Sequence, residues 1–307
     1  MSQRVFIDGA AGTTGLEIAD RLAGREEFEL IVLDDAARKD ASARAEAIND
    51  ADFVILCLPD DAAREAVSLI RNDRVRVIDA SSAHRTAVGW TYGFPEVTGR
   101  KIVASSRRVS NPGCYPTGFI ALLQPLVSTG LLPSDWAYSC NAVSGYSGGG
   151  KALIARFEDD ADIAFRDYGL ALGHKHVPEM KKHAGLRWDP VFAPAVVPAH
   201  HGMVVEVPLA LEAMESAAKP EVLRETLRHA YLGSEIVRVA DDQPDEVLLR
   251  RSMTPIDTLD LYVFGAKDGR QARLVAVLDN LGKGASGAAV QNLNLMAGLP
   301  ETAGLRL

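Results

Sequence analysis

The sequence predicts an α/β fold: a Rossmann-type doubly wound parallel sheet, followed by an α+β domain with a mixed or mainly antiparallel sheet. In the first third, short apolar runs alternate with segments of helical spacing, which is the order of a parallel sheet covered on both faces. A glycine-rich turn directly follows the first of these runs. In the second half, strand-like segments dominate and few helices intervene, which favours a mixed sheet with helices on one face.

The predicted elements follow from the length and spacing of the apolar runs. In the first third, strands are predicted over residues 4–8, 29–33, 53–58, 75–79 and 101–104, with helices over 14–23 and 61–71. In the second half, strands are predicted over 137–143, 191–195, 203–211, 236–240, 261–267 and 271–279. The later helices are predicted over 151–158, 220–231 and 286–297. The Asp268-Gly269 turn predicts a hairpin between the last two strands.

Composition and charge restrict the class of protein. The 307 residues are 47% hydrophobic and 24% charged, which suits a globular chain of one large or two ordinary domains. The sequence has no long apolar run and no signal-like start, so we expect no membrane association and a cytoplasmic location. A net charge of −8 without a long basic run argues against a nucleic-acid partner. Three scattered cysteines predict neither a disulfide framework nor a metal site, and they fit a reducing compartment.

One cysteine has the surroundings of a nucleophile. Cys114 follows the turn-forming Asn111-Pro112-Gly113 and precedes a segment that indicates a helix. Pro116 suits the first helical turn, where its missing N–H is not needed. The unpaired N–H groups and the dipole of a helix N-terminus favour a thiolate over a thiol. Cys57 and Cys140 instead fall within predicted strands, which is typical of small core residues.

The glycine-rich turn after the first strand predicts dinucleotide binding. Gly9 permits the turn, Gly12 permits close approach of a pyrophosphate, and Gly15 permits packing of the helix on the sheet. The N-terminus of the following helix, at Thr13 and Thr14, then meets the phosphate charge. The spacing is GxxGxxG and not the commoner GxGxxG, so the strand–turn–helix context carries most of this prediction.

The residues after the second strand leave the choice between NAD and NADP open. Asp34 and Asp35 suit a ribose hydroxyl, as NAD binding requires. Arg38 and Lys39 suit the 2′-phosphate of NADP. Spacing alone does not decide between them.

Two pairs of histidines lie in polar loops, where a partner for the nucleophile is expected. The pairs are His174 with His176, and His200 with His201. Histidine suits proton transfer beside a reactive thiol. The other three histidines have surface-like surroundings and are interpreted as surface residues: His84, His183 and His229.

Two further segments suit an anionic ligand. Arg85 lies just after the fourth predicted strand, at the edge where ligands collect in such sheets. Its guanidinium could bind a phosphate or carboxylate, and an ordinary surface arginine is equally compatible. The glycine-rich segment 144–151 suits either a flexible loop or an anion-binding nest. Ala152 follows Lys151 where a P-loop has Ser or Thr, which disfavours ATP.

Four motifs together resemble the N-acetyl-γ-glutamyl-phosphate reductases. They are Asn111-Pro112-Gly113-Cys114-Tyr115-Pro116-Thr117, Ser144-Gly145-Tyr146-Ser147-Gly148, His174-Lys175-His176-Val177-Pro178-Glu179 and Asp279-Asn280-Leu281-Gly282-Lys283-Gly284-Ala285-Ser286-Gly287. The resemblance extends from the glycine-rich turn to the last predicted helix. The compact length is similar to the shorter of the two classes of this family.

The resemblance implies a reaction and a domain organisation. N-acetyl-γ-glutamyl phosphate would be reduced by NADPH to N-acetylglutamate semialdehyde, with release of phosphate, in arginine biosynthesis. An NADP-binding Rossmann domain would span 1–113, and an α+β catalytic and dimerisation domain 114–285. A C-terminal helix over 286–307 would return to the cofactor domain. The family is expected to form a homodimer or homotetramer.

The motifs and the resemblance assign roles to individual residues. Cys114 is the expected nucleophile, and His174 the expected catalytic base. The expected substrate-binding residues are Arg85, Ser144, Tyr146, His176 and His201. The expected cofactor-binding residues are Gly9, Gly12, Thr13, Thr14, Gly15, Arg38, Ser81, Asn280, Lys283 and Gly284. Because the longer class commonly has Arg-Gly where this chain has His201-Gly202, the main acid or base among His174, His176 and His201 stays open.

Two alternatives remain at this stage. An aspartate-semialdehyde dehydrogenase would keep the chemistry and change the substrate, but its cysteine turn has an Asn-Cys-Ser/Thr form. A non-catalytic NAD(P)-binding sensor would need no reactive thiol.

Overall fold

The chain divides into two compact units. The computed structural model describes residues 2–214, 216 and 218–307. The first unit consists of the residues up to Pro112 together with Ala285–Leu305. The second unit consists of Gly113–Gly284 with Arg306–Leu307. The chain therefore passes from one unit to the other inside the turn that precedes Cys114.

The first unit is built on a six-stranded parallel sheet. Its strands are β1 (Gln3–Asp8), β2 (Phe28–Ile31), β3 (Phe53–Leu56), β4 (Arg76–Asp79), β5 (Thr91–Tyr92) and β6 (Arg108–Ser110). Its helices are α1 (Thr13–Leu22), α2 (Ala41–Asp50), α3 (Asp60–Ser68), α4 (Pro95–Thr98), α5 (Arg100–Ser105) and α10 (Gly287–Ala297). The strand order is β2-β1-β3-β4-β6-β5. The order reverses at β1, so the turn after β1 lies at the switch point where open α/β sheets bind ligands.

Alternation of apolar residues along the strands covers this sheet on both faces. Val5 and Ile7 of β1 pack in one core cluster with residues of α1 and α10. Phe6, between them, packs in a second cluster with residues of α2 and α3. Successive side chains of a strand point to opposite faces, so each face has its own helical layer. The predicted doubly wound parallel sheet is thus confirmed.

One predicted strand of this unit is wrong. Residues 101–104 lie in α5, and the strand that pairs with β4 is β6, a few residues later. A short apolar run cannot be assigned to strand or helix by periodicity alone. Here Gly99 precedes the first helical residue with a φ of +104°, and Val103 is fully buried while Ile102 is exposed. That spacing of buried and exposed positions fits one face of a helix.

The second unit contains a seven-stranded mixed sheet. Its strands are β7 (Ser139–Gly145), β8 (Arg166–Asp167), β9 (Val191–Val197), β10 (Met203–Leu209), β11 (Val237–Val239), β12 (Leu259–Gly265) and β13 (Ala272–Leu278). Its helices are α6 (Cys114–Ser128), α7 (Gly150–Asp159), α8 (Val177–Ala184) and α9 (Pro220–Ala230). The strand order is β11-β12-β13-β10-β7-β9-β8. The predicted hairpin is confirmed, since β12 and β13 pair antiparallel across the Asp268-Gly269 turn.

Helix α6 is the central helix of the second unit. It packs on β10, β12 and β13, and α8 and α9 lie against it. Gly118 allows this close packing, because a Cβ there would lie 2.9 Å from the Val205 side chain. Most of the α6 side chains are buried as a result. Among the described residues, no helix is long and apolar enough to cross a membrane.

Candidate active site

The glycine-rich turn of the first unit has the tight geometry of a phosphate-binding loop. Gly9 has a φ of +91°, and a Cβ there would lie 2.3 Å from the Cys57 carbonyl oxygen. A Cβ at Gly15 would lie 2.5 Å from the Gly9 carbonyl oxygen. The Gly12 N–H donates to that same oxygen at 3.0 Å and closes the loop. Helix α1 then begins at Thr13, so its first N–H groups have no intrahelical acceptor and suit an anion.

Charged side chains surround the ends of β1 and β2. Asp8, at the end of β1, accepts a 2.8 Å hydrogen bond from the guanidinium of Arg44 on α2, which raises the pKa of Arg44. The sequence does not predict this pair, because 36 residues separate its members. Arg38 is exposed and lies 3.2 Å from Asp35, so it stays available for a charged ligand at the surface. Asp34 caps the intervening turn through the N–H groups of Ala36 and Ala37.

A buried carboxylate organises the segment after β4. Asp79 is fully buried and binds both the Ser81 hydroxyl, at 2.8 Å, and His84 Nδ1, at 2.6 Å. The His84 ring stacks on Trp90 with centroids 4.1 Å apart. His84 was expected at the surface, and that prediction is wrong, because only about a tenth of its side chain is exposed. Of the other two histidines expected at the surface, His229 is exposed and His183 is partly buried.

Arg85 is held by backbone carbonyls of the same unit. Its Nε donates to the Asn111 carbonyl and one Nη to the Ala80 carbonyl, each at 3.0 Å. The side chain is buried, not an exposed surface arginine. The guanidinium has five N–H donors in a planar fork, and these bonds fix its plane.

In the second unit, Cys114 is the first residue of α6, as the turn predicts. Gly113 precedes the helix in extended conformation, and its N–H donates to Glu179 Oε1 at 2.8 Å. Gly284 lies directly against Cys114, because a Cβ at Gly284 would lie 2.9 Å from the Cys114 Cβ. The thiol is only partly buried. A partly accessible cysteine at a helix N-terminus is the usual setting of a reactive thiol.

The other two cysteines do not begin a helix: Cys57 follows β3, and Cys140 is buried in β7. Burial raises the pKa of the Cys57 thiol to about 12 and raises the pKa of Cys140 as well. Neither forms a thiolate near neutral pH, so neither suits a nucleophile.

Glu179 has a contact with the start of α6 that spacing alone does not reveal. The carboxylate is buried and comes from α8, 66 residues along the chain from the N–H that it accepts. We expect Glu179→Ala to lower the free energy of unfolding by about 1–3 kcal/mol, because the buried Gly113 N–H loses its acceptor. Urea denaturation measures this loss. Glu179→Gln keeps an acceptor oxygen and should lose less; equal losses in both variants would contradict this role for the hydrogen bond.

His174 lies in an aromatic pocket with Tyr115, Tyr168 and Phe192. Its ring is 4.7 Å from that of His176 and 5.0 Å from that of Phe192, between centroids. Burial, with a smaller effect of Lys175, lowers the pKa of His174 to about 4. His174 is therefore neutral at physiological pH. Its Nδ1 accepts the His176 backbone N–H at 3.2 Å, so the ring proton lies on Nε2.

The second histidine loop is joined to the segment 279–284. His201 Nδ1 lies 2.9 Å from Asp279 Oδ2. The neighbouring Asn280 accepts the Gly202 N–H and donates to the Ser147 hydroxyl. The Asn280 carboxamide, expected at the cofactor, is thus bonded at both ends inside the second unit, while its role toward the cofactor stays a prediction.

Ser144 and Tyr146, two of the remaining predicted site residues of this unit, lie at the end of β7. The Ser144 hydroxyl donates to the Gly145 carbonyl at 2.9 Å. Tyr146 stacks on Phe157 and meets the His200 ring edge to face. Lys283 is buried. In the described part of the chain, no group of His, Cys, Asp and Glu side chains has an arrangement that suits a metal ion.

Two semialdehyde dehydrogenase families match the two parts of the chain. Residues 4–105 match the semialdehyde dehydrogenase NAD binding domain, and residues 114–280 match the semialdehyde dehydrogenase dimerisation domain. The fold is similar to that of a probable aspartate-semialdehyde dehydrogenase from Pseudomonas aeruginosa, with a TM-score of 0.72 at 16% identity over 96% of this chain and 98% of that one.

Sequence relatives are much closer. The chain is 52% identical to an N-acetyl-gamma-glutamyl-phosphate reductase of Burkholderia lata, over 99% of each chain. It is 48% identical to N-acetyl-gamma-glutamyl-phosphate reductase 2 of a Nostoc species, over 98% of this chain and 99% of that relative. The first unit therefore contains an NAD(P)-binding domain, the second a dimerisation domain, and the chain belongs to the N-acetyl-gamma-glutamyl-phosphate reductase family.

Proposed function

We propose that this protein reduces N-acetyl-γ-glutamyl phosphate to N-acetylglutamate 5-semialdehyde with NADPH, releasing phosphate, as a step of arginine biosynthesis. The observation that carries the proposal is the setting of Cys114. Cys114 begins helix α6, and the N–H of the preceding residue, Gly113, donates to Glu179. Position 284 has room only for a glycine beside Cys114. Relatives of about 50% identity over nearly the full length, named for this activity, support the substrate.

The thiolate of Cys114 attacks the acyl carbonyl carbon. A C–S bond forms, the C–O bond to phosphate breaks, and the phosphate leaves with that electron pair. The product is a thioester on Cys114. When bound, a reduced dinucleotide would supply the hydride that this carbonyl carbon accepts. The resulting thiohemiacetal oxyanion collapses, the C–S bond breaks, and aldehyde and thiolate are released.

The chain's own side chains bind and polarise the substrate. His174 is neutral, with its proton on Nε2, so it donates a hydrogen bond to the acyl oxygen and stabilises the charge that develops there. Arg85 binds the phosphate group, whose charge and geometry suit a guanidinium. Ser144, Tyr146 and His176 contact the acyl chain.

The first unit holds the cofactor through its glycine-rich turn. Gly9 and Gly15 keep the turn tight, Gly12 would leave room for the pyrophosphate, and the N–H groups of Thr13 and Thr14 would bind it. Ser81 lies farther along the same edge of the sheet. Arg38 would contact the cofactor at the end of β2, while the preference for NADP over NAD rests on the family resemblance. Asn280, Lys283 and Gly284 complete the cofactor contacts.

The family resemblance also predicts the oligomeric state, the cellular location and the domain bounds. We expect a homodimer or homotetramer formed by the dimerisation domain, and a cytoplasmic location. The domains are an NADP-binding part over 1–113, a catalytic part over 114–285 and a returning helix over 286–307.

The reverse reaction tests the substrate. We expect phosphate-dependent reduction of NADP⁺ with N-acetylglutamate semialdehyde and, under the same conditions, at least about a hundredfold lower kcat/KM with aspartate semialdehyde, because each mismatched polar contact costs roughly 1–3 kcal/mol. Absorbance of NADPH measures both rates. Equal rates with the two aldehydes, or turnover that does not need phosphate, would contradict the proposal.

A further inference from the structure

The segment that follows β4 in the first unit is organised by one buried carboxylate. Asp79, the last residue of β4, is 0% exposed. Its Oδ1 accepts the Ser81 N–H at 2.9 Å, and its Oδ2 accepts both the Ser81 hydroxyl, at 2.8 Å, and His84 Nδ1, at 2.6 Å. Burial of a carboxylate is costly unless its oxygens have donors, and hydrogen bonds to a charged acceptor are strong. These three bonds therefore tie the end of β4 to the turn over residues 80–84.

The ring of His84 is held both at its face and at its edge. The imidazole stacks on Trp90, with ring centroids 4.1 Å apart and an angle of 13° between the planes. At the edge, Nδ1 donates to Asp79, since a carboxylate only accepts. Histidine supplies both the flat ring and the donor, whereas phenylalanine would keep only the stack and asparagine only the donor. The side chain is thus fixed from two directions.

Arg85 follows His84 directly, so the same cluster fixes the point from which the Arg85 side chain starts. At its far end, Nε donates to the Asn111 carbonyl and one Nη to the Ala80 carbonyl, each at 3.0 Å. Both acceptors are joined to Asp79. Ala80 is the next residue, and the Asn111 N–H donates to the Asp79 carbonyl at 2.7 Å. The Arg85 side chain therefore lies between two points whose positions Asp79 determines.

A second set of contacts anchors the same turn without involving His84. Ser82 donates to Asp60, at the start of α3, through its N–H at 2.9 Å and its hydroxyl at 2.7 Å. Arg64, also on α3, donates to the Ala83 carbonyl at 3.1 Å. The turn keeps these contacts when the His84 ring is replaced. A substitution of His84 is therefore expected to change the orientation of its neighbour and not the fold of the unit.

We propose that His84, held by Asp79 and Trp90, is a positioning residue that orients Arg85 toward the phosphate group. A guanidinium binds phosphate through parallel N–H donors, so the strength of the contact depends on the direction of its plane. Without the ring, the first atoms of the Arg85 side chain shift while its tip stays bonded to the two carbonyls, and the plane tilts. The proposal rests on the proposed function for the phosphate-binding role of Arg85.

The reverse reaction tests this through the KM for inorganic phosphate, measured with saturating N-acetylglutamate semialdehyde and NADP⁺. We expect His84→Phe to raise this KM roughly tenfold, because a tilted guanidinium loses part of a charge-assisted contact. The kcat at saturating phosphate and the KM for NADP⁺ should stay within about threefold of the wild type. His84→Asn keeps a donor near the position of Nδ1 and should recover most of the loss. Ser82→Ala is the matched control in the same turn and should keep the wild-type KM for phosphate.

A double-mutant cycle shows whether the effect passes through Arg85. Arg85→Lys keeps the charge but has no planar fork to orient, so it should itself raise the KM for phosphate. In that background, His84→Phe should raise this KM by less than about twofold more. Equal effects of His84→Phe in the two backgrounds, or an unchanged KM in His84→Phe, would overturn the proposal. Where His84→Phe does not fold, Trp90→Leu decides, since loss of the stack should raise the same KM and an unchanged KM would be the contrary result.

Binding of phosphate without turnover separates this proposal from the proposed function. A ³¹P NMR titration of inorganic phosphate into the NADP⁺-saturated protein needs no aldehyde, and we expect weaker binding in His84→Phe and Arg85→Lys but not in Ser82→Ala. A wrong aldehyde substrate would abolish the rates and leave this pattern of binding in place. Wild-type binding in Arg85→Lys would refute the phosphate role of Arg85 and that of His84 with it. Weaker binding in Arg85→Lys alone would overturn only the positioning role of His84.

Discussion

Cys114→Ser is expected to lower kcat by roughly three orders of magnitude or more, equivalent to about 4 kcal/mol of barrier. A serine hydroxyl at this position stays protonated, because the helix N-terminus that favours a thiolate cannot ionise an alcohol. An oxygen ester would also accept hydride less readily than a thioester. Initial rates of NADPH oxidation measure the loss, and intact-protein mass spectrometry should detect an acyl adduct on the wild type alone.

The control for this variant is another cysteine of the same unit. Cys140 is fully buried in β7, and Cys140→Ala should keep near-normal turnover with at most a modest loss of stability. Affinity for NADPH should change little in Cys114→Ser, because the substitution exchanges one atom and leaves the glycine-rich turn of the first unit intact. Retention of more than about a tenth of wild-type kcat in Cys114→Ser would exclude a covalent mechanism through this residue.

Gly12→Ala is expected to weaken NADPH binding about tenfold or more, about 1.4 kcal/mol, without lowering the stability of the free protein. The nearest atom to a Cβ at Gly12 is the Gly9 carbonyl oxygen at 3.4 Å, an ordinary contact. The methyl group therefore fits the empty turn and would meet only a pyrophosphate that approaches the backbone. Fluorescence titration with NADPH and thermal unfolding measure the two effects.

Gly15→Ala is the matched comparison for Gly12→Ala. Its Cβ would lie 2.5 Å from the Gly9 carbonyl oxygen and 2.8 Å from the Ala10 Cα, so the turn itself must move. We expect both affinity and stability to fall in this variant. If Gly12→Ala bound NADPH as tightly as the wild type, the pyrophosphate would have to lie elsewhere.

Most of the fold follows from local sequence patterns. Continuous apolar strands separated by helical segments require a parallel sheet with two covered faces, and β1 shows this, with Val5 and Phe6 in different core clusters. The Asp268-Gly269 turn is likewise local chemistry. The predicted strand over residues 101–104 is wrong. A run of four residues fits the repeat of a strand and that of a helix equally, and only the packing around Val103 selects the helix.

The candidate site depends more on contacts between distant residues. The motif around Cys114 predicts a helix start, but not that Glu179 holds the preceding N–H. His84 and Asp79 are five residues apart, yet their pairing depends on a turn that composition does not reveal. His201 and Asp279 are 78 residues apart, so sequence reasoning could name both histidine loops without choosing between them. Hydrogen-bond direction, which separates a proton acceptor from a donor, is visible only in the folded chain.

The return of α10 to the first unit has a consequence for how the protein is made. Four core residues of that unit come from this helix: Ala289, Val290, Leu293 and Met296. A ribosome that has synthesised the first 112 residues has produced all six strands of the parallel sheet but none of these side chains. The part of the sheet's apolar face that α10 covers then stays open, beside α1, while more than half of the chain is still being translated. The first unit to emerge is therefore the last to complete its core, and until then it depends on the growing chain or on chaperones to avoid aggregation.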